Sequence, residues 1–432
     1  MSQAEHIHWF RSAAPYINAF RGKTFVIVIS GEMLRSALFE HLIHDIALCH
    51  HLGIRLLLVH GSREQIDDRL REAGIESRFH RNMRISEKSA MPVILQAIHE
   101  ARSSIEARLS MGLPNTPMSG ADISVISGNF VTGMPLGVID GVDMQYSGKP
   151  RSVDCEALRE LLPKHIPLLS PLGYSRSGEL FNLPSEELAA EVAIQLGAEK
   201  LIYFNRDYIR RDHSDQFSTA ECLELIAAGE AGDSLKPLLG HAVHAVQQGV
   251  ERVHIIDSTL DGGLLQELFT REGAGMMITN RFYEGLRQAS IDDIGGILEL
   301  IQPLERAGAL IPRSREQLEL DIEHFLVIEK DGMIVGCIAC IPDPDSRMGE
   351  IACLAVHPDY RKAGFGEQLL AAAEEQARKA GLARLYILTT RTSHWFLERG
   401  FEPASLDLLP PGRQRRYNEQ RKSIVMSKLV ER

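Results

Sequence analysis

Residues 349–370 read GEIACLAVHPDYRKAGFGEQLL, and the organisation of the chain can be worked out from this stretch. It opens with an apolar, partly β-branched run at 351–356, which has the length of one buried strand. Pro358 ends that strand, because proline cannot donate a ladder hydrogen bond. A basic turn at 361–366 then leads into a predicted helix over 367–379. The stretch therefore predicts a strand, a glycine-bearing turn and a helix in succession.

The turn predicts an anion site. A helix start leaves backbone N–H groups without intrahelical partners, and the helix dipole adds partial positive charge there, which suits a pyrophosphate. Gly364 and Gly366 let the backbone approach the phosphates where a Cβ would collide. We expect the contacts to come from Arg361, Lys362, Ala363, Gly364, Phe365 and Gly366.

Arg361, Gly364 and Gly366 fill an Arg-x-x-Gly-x-Gly pattern, and the stretch resembles the acyl-CoA motif of the GCN5-related N-acetyltransferases. That family splays the fourth and fifth strands of its sheet. The resemblance implies that free backbone groups of the central strand pair with the pantetheine of acetyl-CoA, and that an N–H near its end supports the thioester oxygen. The residues concerned are Cys353, Leu354, Ala355 and Val356.

Length and composition indicate a globular protein of two or three domains. The chain has 432 residues, 44% of them hydrophobic and 24% charged, with a net charge of -11. That charge argues against a nucleic-acid or anionic-membrane surface. No apolar run reaches the roughly 18 residues of a membrane span, and residues 1–17 lack a secretory pattern. We expect a cytoplasmic protein.

The six cysteines predict no metal site. Cys337 and Cys340 have the spacing of a metal half-site, but they share one predicted strand, where a separation of three places them on opposite faces. No second Cys/His pair completes a zinc set. We expect buried, reduced thiols and no bound metal.

The N-terminal half has an α/β pattern. Helical residues 1–22, broken by Pro15, precede two units of strand, glycine turn and helix that begin at 24–29 and 54–59. This repetition predicts a parallel sheet with right-handed crossovers. We also expect one long helix over 33–52 and a hairpin that turns at Gly128-Asn129.

This half resembles the amino-acid kinase fold of the acetylglutamate kinases. The resemblance is carried by Val59-His-Gly61, by Asn182 with the helix that follows it, and by residues 266–275. Those kinases carry Lys-x-Gly-Gly at the end of the first strand, whereas the matching positions here begin with Val28. Phosphoryl transfer relies on positioned cations, and valine supplies none. We therefore expect a regulatory domain without kinase activity.

The resemblance extends to the arginine-sensitive members of that kinase family, and it implies an effector site for L-arginine. A guanidinium needs a carboxylate in fork geometry, for which Glu267 is the candidate and Glu272 the rival. A purely scaffolding half is the alternative. The implied effector residues are Tyr16, Lys200, Glu267, Arg271 and Gly275.

The C-terminal half has the acetyltransferase order of elements. A predicted hairpin around Asp331-Gly332 is followed by the central strand and helix, a strand at 385–390, a short helix ending at Gly400 and a last strand at 423–429. We expect an amino-acid kinase-like domain over 1–280 and an N-acetyltransferase domain over 287–432.

Candidate catalytic residues lie on the two central strands. An amino group is protonated at neutral pH, so the acceptor needs a base or a water chain. Glu350, at the start of the central strand, is our candidate, with a solvated carboxylate as the alternative. Thr389 or Thr390 offers a hydroxyl to the departing thiolate, and Tyr386 is less well placed. Direct attack in a ternary complex is expected, with Cys353 as an acyl carrier as the alternative.

Two cationic clusters predict an acceptor with two carboxylates. Arg313 precedes the predicted hairpin, and Arg421 with Lys422 precedes the last strand. Removing the arginine from a buried carboxylate typically costs about 2–5 kcal/mol. The substrate residues we select are Ile311, Arg313, Cys353, Phe396, Arg421 and Ser423.

The chain as a whole resembles the bacterial N-acetylglutamate synthases. The resemblance rests on the combination of a kinase-like half with an acetyltransferase half, and on two stretches, Ile311-Pro-Arg-Ser-Arg-Glu-Gln317 and Tyr417-Asn-Glu-Gln-Arg-Lys-Ser423. The resemblance implies acetyl transfer from acetyl-CoA to L-glutamate, the first step of arginine synthesis, with inhibition by arginine and a hexameric assembly. The alternatives are a bifunctional synthase–kinase, a non-catalytic arginine sensor, and an acetyltransferase for another acceptor, such as ornithine or a protein terminus.

Overall fold

The computed structural model describes residues 3–112, 116–207, 216–270, 273–280, 284–330, 333–361, 364–418 and 421–430. The chain folds as two compact units that divide between residues 281 and 282. In these described ranges, no helix is both long enough and apolar enough to span a bilayer.

The first unit contains ten helices and sixteen strands in its described residues. The helices are α1 (Gln3–Ser12), α2 (Ala14–Phe20), α3 (Phe39–His51), α4 (Arg63–Glu72), α5 (Met91–Leu109), α6 (Cys155–Leu161), α7 (Ser185–Leu196), α8 (Thr219–Ala228), α9 (Leu235–Gln247) and α10 (Gly263–Phe269). The strands are β1 (Thr24–Ile29), β2 (Arg55–His60), β3 (Phe79–His80), β4 (Met83–Arg84), β5 (Val125–Ile126), β6 (Val131–Pro135), β7 (Val138–Ile139), β8 (Val142–Asp143), β9 (Gly148–Val153), β10 (Ile166–Leu169), β11 (Leu172–Tyr174), β12 (Leu180–Asn182), β13 (Lys200–Asn205), β14 (Gln216–Phe217), β15 (Arg252–Asp257) and β16 (Gly275–Ile278).

The main sheet of this unit has the order β14-β16-β15-β13-β1-β2-β10-β5 and is parallel except between β15 and β16. The predicted parallel sheet is therefore confirmed. Along β1, Val26 and Val28 face a core shared with α7 and α9, whereas Phe25, Ile27 and Ile29 face a core shared with α3 and α5. Burial on both faces explains why β1 is apolar at successive positions.

Two local predictions for this unit are wrong. The expected hairpin at Gly128-Asn129 does not form, because β5 pairs in parallel with β10 while β6 pairs with β9 and β11. The expected helix over 33–52 is divided into a short 3-10 helix, Met33–Arg35, and α3. In both cases, contacts with distant parts of the chain override a pattern that is consistent locally.

The second unit has five helices and seven strands in its described residues. The helices are α11 (Ile294–Arg306), α12 (Arg315–Asp321), α13 (Phe365–Lys379), α14 (Ser393–Leu397) and α15 (Pro411–Arg415). The strands are β17 (Glu284–Gln288), β18 (Phe325–Lys330), β19 (Met333–Pro342), β20 (Met348–Val356), β21 (Arg384–Thr389), β22 (Glu402–Pro403) and β23 (Ile424–Leu429).

These strands form one sheet, β17-β18-β19-β20-β21-β23-β22, in which β20 and β21 are the parallel neighbours. Helices α11 and α13 pack on opposite faces. Cys337 and Cys340 belong to these two different cores, as their spacing predicts. β17 was not predicted and occupies part of the segment expected to join the domains. The predicted turn at Asp331-Gly332 lies outside the described residues.

Candidate active site

The central strands of the second unit separate part-way along their length. The parallel pairing of β20 with β21 covers Met348, Gly349 and Glu350. Beyond this point β20 stays paired with β19, and β21 stays paired with β23. No described strand pairs with the open edge of β20 after Glu350. Its main-chain groups can therefore pair with the amides of an extended ligand.

A β-bulge at Cys353 reorients this open edge. Cys353 has a φ of +52°, which is uncommon for a residue with a side chain, and the register with β19 shifts at the same place. Ala352 and Cys353 consequently both contact the α11 side, whereas Ile351 contacts the α13 side. The bulge thus changes the direction of the backbone N–H groups at the point where the strands diverge.

The start of α13 adjoins this edge in sequence. Gly364 precedes the helix with a φ of +74° and has no side chain that could cap the first turn. A Cβ on Gly366 would lie 3.3 Å from Trp395 Cζ2, so a larger residue would displace the indole. Phe365 is buried against Tyr360, and Arg361 is exposed. Amides at a helix start suit a diphosphate, whereas Lys362 and Ala363 lie outside the described residues.

Glu350 is held by a second charged residue that the sequence analysis did not select. Arg413, in α15, donates from Nε and Nη2 to the two carboxylate oxygens of Glu350 at 2.7 and 2.9 Å. Both side chains are largely buried. Tyr386 lies opposite Glu350 on β21, and burial together with the Glu350 charge raises the pKa of its phenol. The neutral phenol can therefore only donate or accept a hydrogen bond at neutral pH.

Two threonine hydroxyls at the end of β21 differ in their surroundings. Thr389 Oγ1 accepts a hydrogen bond from Thr392 N at 3.1 Å and lies 2.9 Å from Thr392 Oγ1. Thr390 Oγ1 is buried and has no hydrogen-bond partner among the described residues. Thr390 is therefore better placed than Thr389 to give a hydrogen bond to a ligand atom.

The loop that carries Arg313 and the segment that carries Arg421 are in contact. Arg421 donates from Nη2 to the carbonyl oxygens of Gly308 and Ala309, at 3.0 and 3.2 Å, which fixes the loop that carries Arg313. Arg391 donates to Ala307 O in the same loop at 2.9 Å. Arg421 Nε is buried and has no partner among the described residues. This N–H can therefore be directed at a ligand.

Charged groups surround Cys353. Burial raises the pKa of its thiol to about 11, and the charges of Arg313, Glu305 and Glu350 act on the same thiol. The thiol is therefore protonated at neutral pH, which disfavours it as an acyl carrier. Arg313 forms an ion pair with Asp321 at 3.0 Å. Glu350 and Arg313, both selected from the sequence, thus lie near Cys353.

The remaining predicted substrate residues are more dispersed. Ile311 is exposed on the loop that Arg421 holds, and the carbonyl oxygen of Ser423 accepts a hydrogen bond from Tyr417 Oη at 2.8 Å. Phe396 does not join them, because its ring is buried in the apolar core, 5.4 Å from the ring of Phe401.

In the first unit, two of the predicted effector residues, Lys200 and Glu267, belong to a buried charged cluster. Lys200 Nζ lies 3.0 Å from His254 Nε2, and His254 Nδ1 lies 2.5 Å from Glu267 Oε1. Burial lowers the pKa of His254 to about 4, so the ring is neutral at pH 7. A neutral ring between these groups accepts from Lys200 and donates to Glu267. Phe20 of α2 lies beside the cluster, with its ring 5.0 Å from Lys200 Nζ, and the Tyr16 ring lies 6.1 Å from the Phe20 ring.

The backbone next to this cluster tolerates no larger residue at one position. A Cβ on Gly275 would lie 2.1 Å from Ile255 O, so the strand can carry only glycine there. Glu267 accepts a further hydrogen bond, from Ala274 N. An arginine ligand would therefore have to use the remaining lone pairs of this carboxylate. Arg271 and Glu272 lie outside the described residues.

Sequence reasoning missed Arg413 and His254. Arg413 lies in a basic run at 413–416, and nothing local distinguishes it from its exposed neighbours. His254 interrupts the apolar run at 253–256 inside β15, which was the available signal. Across the described ranges, no three His, Cys, Asp or Glu side chains are grouped as a metal site.

The two units match two known families. Residues 23–257 match the amino acid kinase family, and residues 295–401 match the acetyltransferase (GNAT) family. The amino-acid acetyltransferases of Ectopseudomonas mendocina and Azotobacter vinelandii are each 46% identical to this chain, over 430 and 436 residues. Each comparison covers 99% of this chain and 100% of the relative.

Solved structures are similar over the same length. N-acetylglutamate synthase from Neisseria gonorrhoeae complexed with coenzyme A and L-arginine is 39% identical, with a TM-score of 0.89. The same enzyme complexed with coenzyme A and N-acetyl-glutamate is 40% identical, with a TM-score of 0.61. Each comparison covers 99% of both chains. The chain therefore belongs to the amino-acid acetyltransferase family.

Proposed function

We propose that this enzyme transfers the acetyl group of acetyl-CoA to the α-amino group of L-glutamate and is inhibited by L-arginine. The observation that carries the proposal is the open edge of β20 after Glu350, followed in sequence by the uncapped start of α13. The relatives named above support the choice of substrate, because one was crystallised with coenzyme A and N-acetyl-glutamate. Its complex with L-arginine supports the choice of inhibitor.

The coenzyme binds through two kinds of backbone donor. Amides at the start of α13, together with Arg361, hold the diphosphate, and the open edge of β20 pairs with the pantetheine amides. Cys353, Leu354, Ala355 and Val356 supply that edge, and Lys362 and Ala363 complete the phosphate turn. An N–H near Ala355 or Val356 then stabilises the thioester oxygen as it gains negative charge.

Transfer is direct. Glu350 removes a proton from the ammonium group of glutamate, either itself or through a water molecule. The freed amine attacks the thioester carbon, the C–N bond forms and the C–S bond breaks. The attacking nitrogen loses a second proton as the amide forms, and this proton reaches the thiolate through a hydroxyl that relays it, for which Thr389 and Thr390 are the candidates. Arg413 does not touch the substrates in this scheme and acts as a positioning residue for Glu350.

The acceptor is bound by one arginine from the loop before α12 and one from the segment before β23. Arg421, through its buried Nε, and Arg313 each bind one carboxylate of glutamate. Ile311 and Ser423 border the same site, and the Cys353 bulge shapes it, whereas Phe396 supports it from the apolar core. Ornithine lacks the second carboxylate and would leave one of these cations unpaired, so it should be a poor acceptor.

Arginine binds to the first unit beside Lys200 and Glu267. Tyr16 and Gly275 border this site, and Arg271 completes it. The buried charges of the cluster are balanced without a ligand, so the effector must replace internal hydrogen bonds when it binds. We further propose a hexamer assembled through the kinase-like units and a cytoplasmic location, both of which rest on resemblance to the bacterial enzymes.

An acceptor screen tests the activity. Release of free thiol from acetyl-CoA is followed with glutamate, aspartate, ornithine and a peptide, with and without arginine. We expect glutamate to give the highest kcat/KM and arginine to lower the rate. Thiol release independent of any amine, or ornithine as the best acceptor, would refute the proposal. A parallel incubation with ATP and N-acetylglutamate tests the bifunctional alternative, for which acyl phosphate is the product.

A further inference from the structure

Two polar atoms beside the end of β21 are buried and have no hydrogen-bond partner among the described residues. They are Thr390 Oγ1 and Arg421 Nε. In the antiparallel pair of β21 and β23, Thr389 lies opposite Ile424, so Thr390 follows the last paired residue of one strand and Arg421 shortly precedes the first paired residue of the other. Buried polar groups are normally hydrogen-bonded. Two such atoms left open at one strand end indicate a ligand that bonds to both.

The two residues are held beside the same loop. Arg391, next to Thr390, donates from Nη2 to Ala307 O at 2.9 Å. Arg421 donates from its own Nη2 to the next two carbonyl oxygens of that loop, at 3.0 and 3.2 Å. Three successive carbonyls therefore bind arginines from the end of β21 and from the segment before β23, which fixes both against one stretch of backbone.

The charge of Arg421 is not balanced by an acidic side chain in the described chain. Its guanidinium bonds to main-chain carbonyl oxygens, and no described carboxylate lies within ion-pair distance of it. Arg313, the second cation of the acceptor site, is instead paired with Asp321 at 3.0 Å. A guanidinium without a counter-charge and with a buried free N–H favours a carboxylate ligand.

The alternation of side chains along β21 separates the hydroxyls of its two terminal threonines. Tyr386 and Leu388 pack with the segment around α15, where the partner of the candidate base lies, whereas the odd-numbered residues before Thr389 pack with α13. Successive side chains of a strand point to opposite faces. Thr389 therefore continues the row on the α13 face, and Thr390 follows the row on the acceptor face.

The segment that carries Arg421 is fixed by its own contacts. The N–H of Arg421 donates to Asn418 O at 3.2 Å, and Tyr417 Oη donates to Ser423 O at 2.8 Å. Between them, Lys422 has a φ of +50°, which is uncommon for a residue with a side chain and persists only where the surroundings hold it. A group held in place before a ligand arrives loses little conformational entropy on binding.

We propose that Thr390 and Arg421 hold the same carboxylate of the acceptor, with the Thr390 hydroxyl donating to one oxygen and the Arg421 Nε–H donating to the other. The proposal rests on the proposed function and deepens it, because it makes Thr390 a residue that determines which amines are accepted. A hydroxyl that donates to a carboxylate is not available to relay a proton to the thiolate. The relay is therefore left to Thr389.

The test compares Thr390→Val with Thr390→Ser in the full-length protein, with release of free thiol from acetyl-CoA as the assay. Valine has nearly the shape of threonine and lacks the hydroxyl, whereas serine keeps it. Thr390→Val should raise the KM for glutamate about tenfold, as expected for one hydrogen bond to a charged group, and change kcat less than about threefold. Thr390→Ser should stay within about threefold of the parent protein in both constants.

Thr389→Val is the matched comparison, because it removes a hydroxyl that is already hydrogen-bonded to Thr392. Its KM for glutamate should change less than about twofold, whatever the change in kcat. Thermal unfolding separates the two valine variants as well. Thr389→Val should lower the Tm, whereas Thr390→Val should leave it equal or raise it, because a methyl group replaces an unpaired buried hydroxyl. Thr390→Ala is the second variant if Thr390→Val does not fold.

Two amides of glutamate identify the carboxylate. Glutamine has an amide in place of the side-chain carboxylate, and isoglutamine has one in place of the α-carboxylate. Thr390→Val should lower kcat/KM about tenfold for glutamate and for one amide. For the other amide, which lacks the carboxylate that Thr390 holds, the loss should be about threefold or less.

The double variant Thr390→Val/Arg421→Ala tests whether both side chains hold one group. Contacts to the same carboxylate are coupled, so the combined loss in kcat/KM should be at least about threefold smaller than the product of the single losses. Calorimetry of N-acetylglutamate binding to the protein loaded with coenzyme A repeats the comparison of Thr390→Val with the parent protein without turnover.

Four results would overturn the proposal. They are equal increases in the KM for glutamate in Thr390→Val and Thr389→Val, a fall in kcat with an unchanged KM in Thr390→Val, equal losses with both amides, and an unchanged affinity of Thr390→Val for N-acetylglutamate. Failure of the parent protein to release thiol in response to glutamate would instead refute the proposed function, and the binding measurement would still decide the role of Thr390.

Discussion

Arg413 donates two hydrogen bonds to Glu350, one to each carboxylate oxygen, from a position 63 residues later in the chain. The guanidinium and the carboxylate are both largely shielded from solvent. Fork geometry fixes the plane of the carboxylate as well as its position. Arg413 therefore determines how Glu350 is presented at the point where β20 and β21 diverge.

Substitution of Glu350 and substitution of Arg413 should have different consequences for activity and stability. Glu350→Gln should lower kcat about 100-fold, because a positioned base typically contributes that much, and it should also lower stability, because the buried guanidinium of Arg413 loses its counter-charge. Arg413→Met should destabilise the protein by about 3 kcal/mol, because it leaves a buried carboxylate unpaired. Thermal unfolding and steady-state kinetics measure the two effects.

The double variant Glu350→Gln/Arg413→Met is the control for this pair. It should recover most of the lost stability without recovering activity, since no charge is left unpaired. Full activity in Glu350→Gln would exclude this residue as the base.

Gly364 offers a matched test of the coenzyme site. Gly364→Ala places a Cβ on a residue with a φ of +74°, next to the expected diphosphate, and should raise the KM for acetyl-CoA at least tenfold. Gly381→Ala imposes similar strain at a φ of +69°, and neither Cβ would meet a neighbouring atom within 4 Å. The strain typically costs about 1 kcal/mol in each variant. Equal KM values in the two variants would exclude a coenzyme contact at Gly364.

Arg421→Ala should raise the KM for glutamate about thirtyfold or more, with little change in the KM for acetyl-CoA. The reason is the loss of a buried charged partner for a carboxylate, which costs at least about 2 kcal/mol. Arg391→Ala is the comparison, because Arg391 holds the neighbouring carbonyl of the same loop. Similar increases in the KM for glutamate in both variants would mean that Arg421 acts only by holding the loop.

Lys200→Met should raise the arginine concentration that halves the activity at least tenfold. The substitution removes the ammonium group that hydrogen-bonds to His254 in the buried cluster with Glu267. Lys23→Met removes an exposed lysine paired with Glu199 and serves as the control. Inhibition curves for the two variants that coincide would place the effector elsewhere.

Acid should destabilise the first unit through His60. This residue is fully buried, its Nδ1 lies 3.1 Å from Gly61 O and its Nε2 lies 2.9 Å from Ser170 Oγ. Burial lowers the pKa of His60 to about 4, whereas the unfolded side chain titrates near 6.5. Between these values the unfolded imidazole binds a proton that the folded imidazole does not. Stability is therefore present above pH 6.5 and is lost as the pH falls towards 4, by about 3 kcal/mol.

His60→Gln should flatten that part of the stability profile. The comparison is made on the slope of the unfolding free energy against pH, because the substitution also changes stability at all pH values. An unchanged slope between pH 6.5 and 4 would show that His60 does not titrate in this range on unfolding.

The sequence determined the elements whose signals are local. The apolar run Thr24–Ile29 is a strand as predicted, and the positive φ of Gly364 follows from the glycine pattern that begins α13. The separation of β20 from β21 was expected from the family resemblance, and the strand pairing confirms it. These features depend on backbone preferences and on periodic burial over a few residues, which the order of amino acids contains directly.

Only the tertiary structure decided which distant side chains meet. The pairs Arg413 with Glu350 and His254 with Lys200, and the parallel strand at Val125–Ile126, all depend on contacts across many positions. The bulge at Cys353 has the same origin, because the partner strand β19 sets its register. Such contacts form because packing of the whole core fixes the elements relative to one another, and no local pattern contains that information.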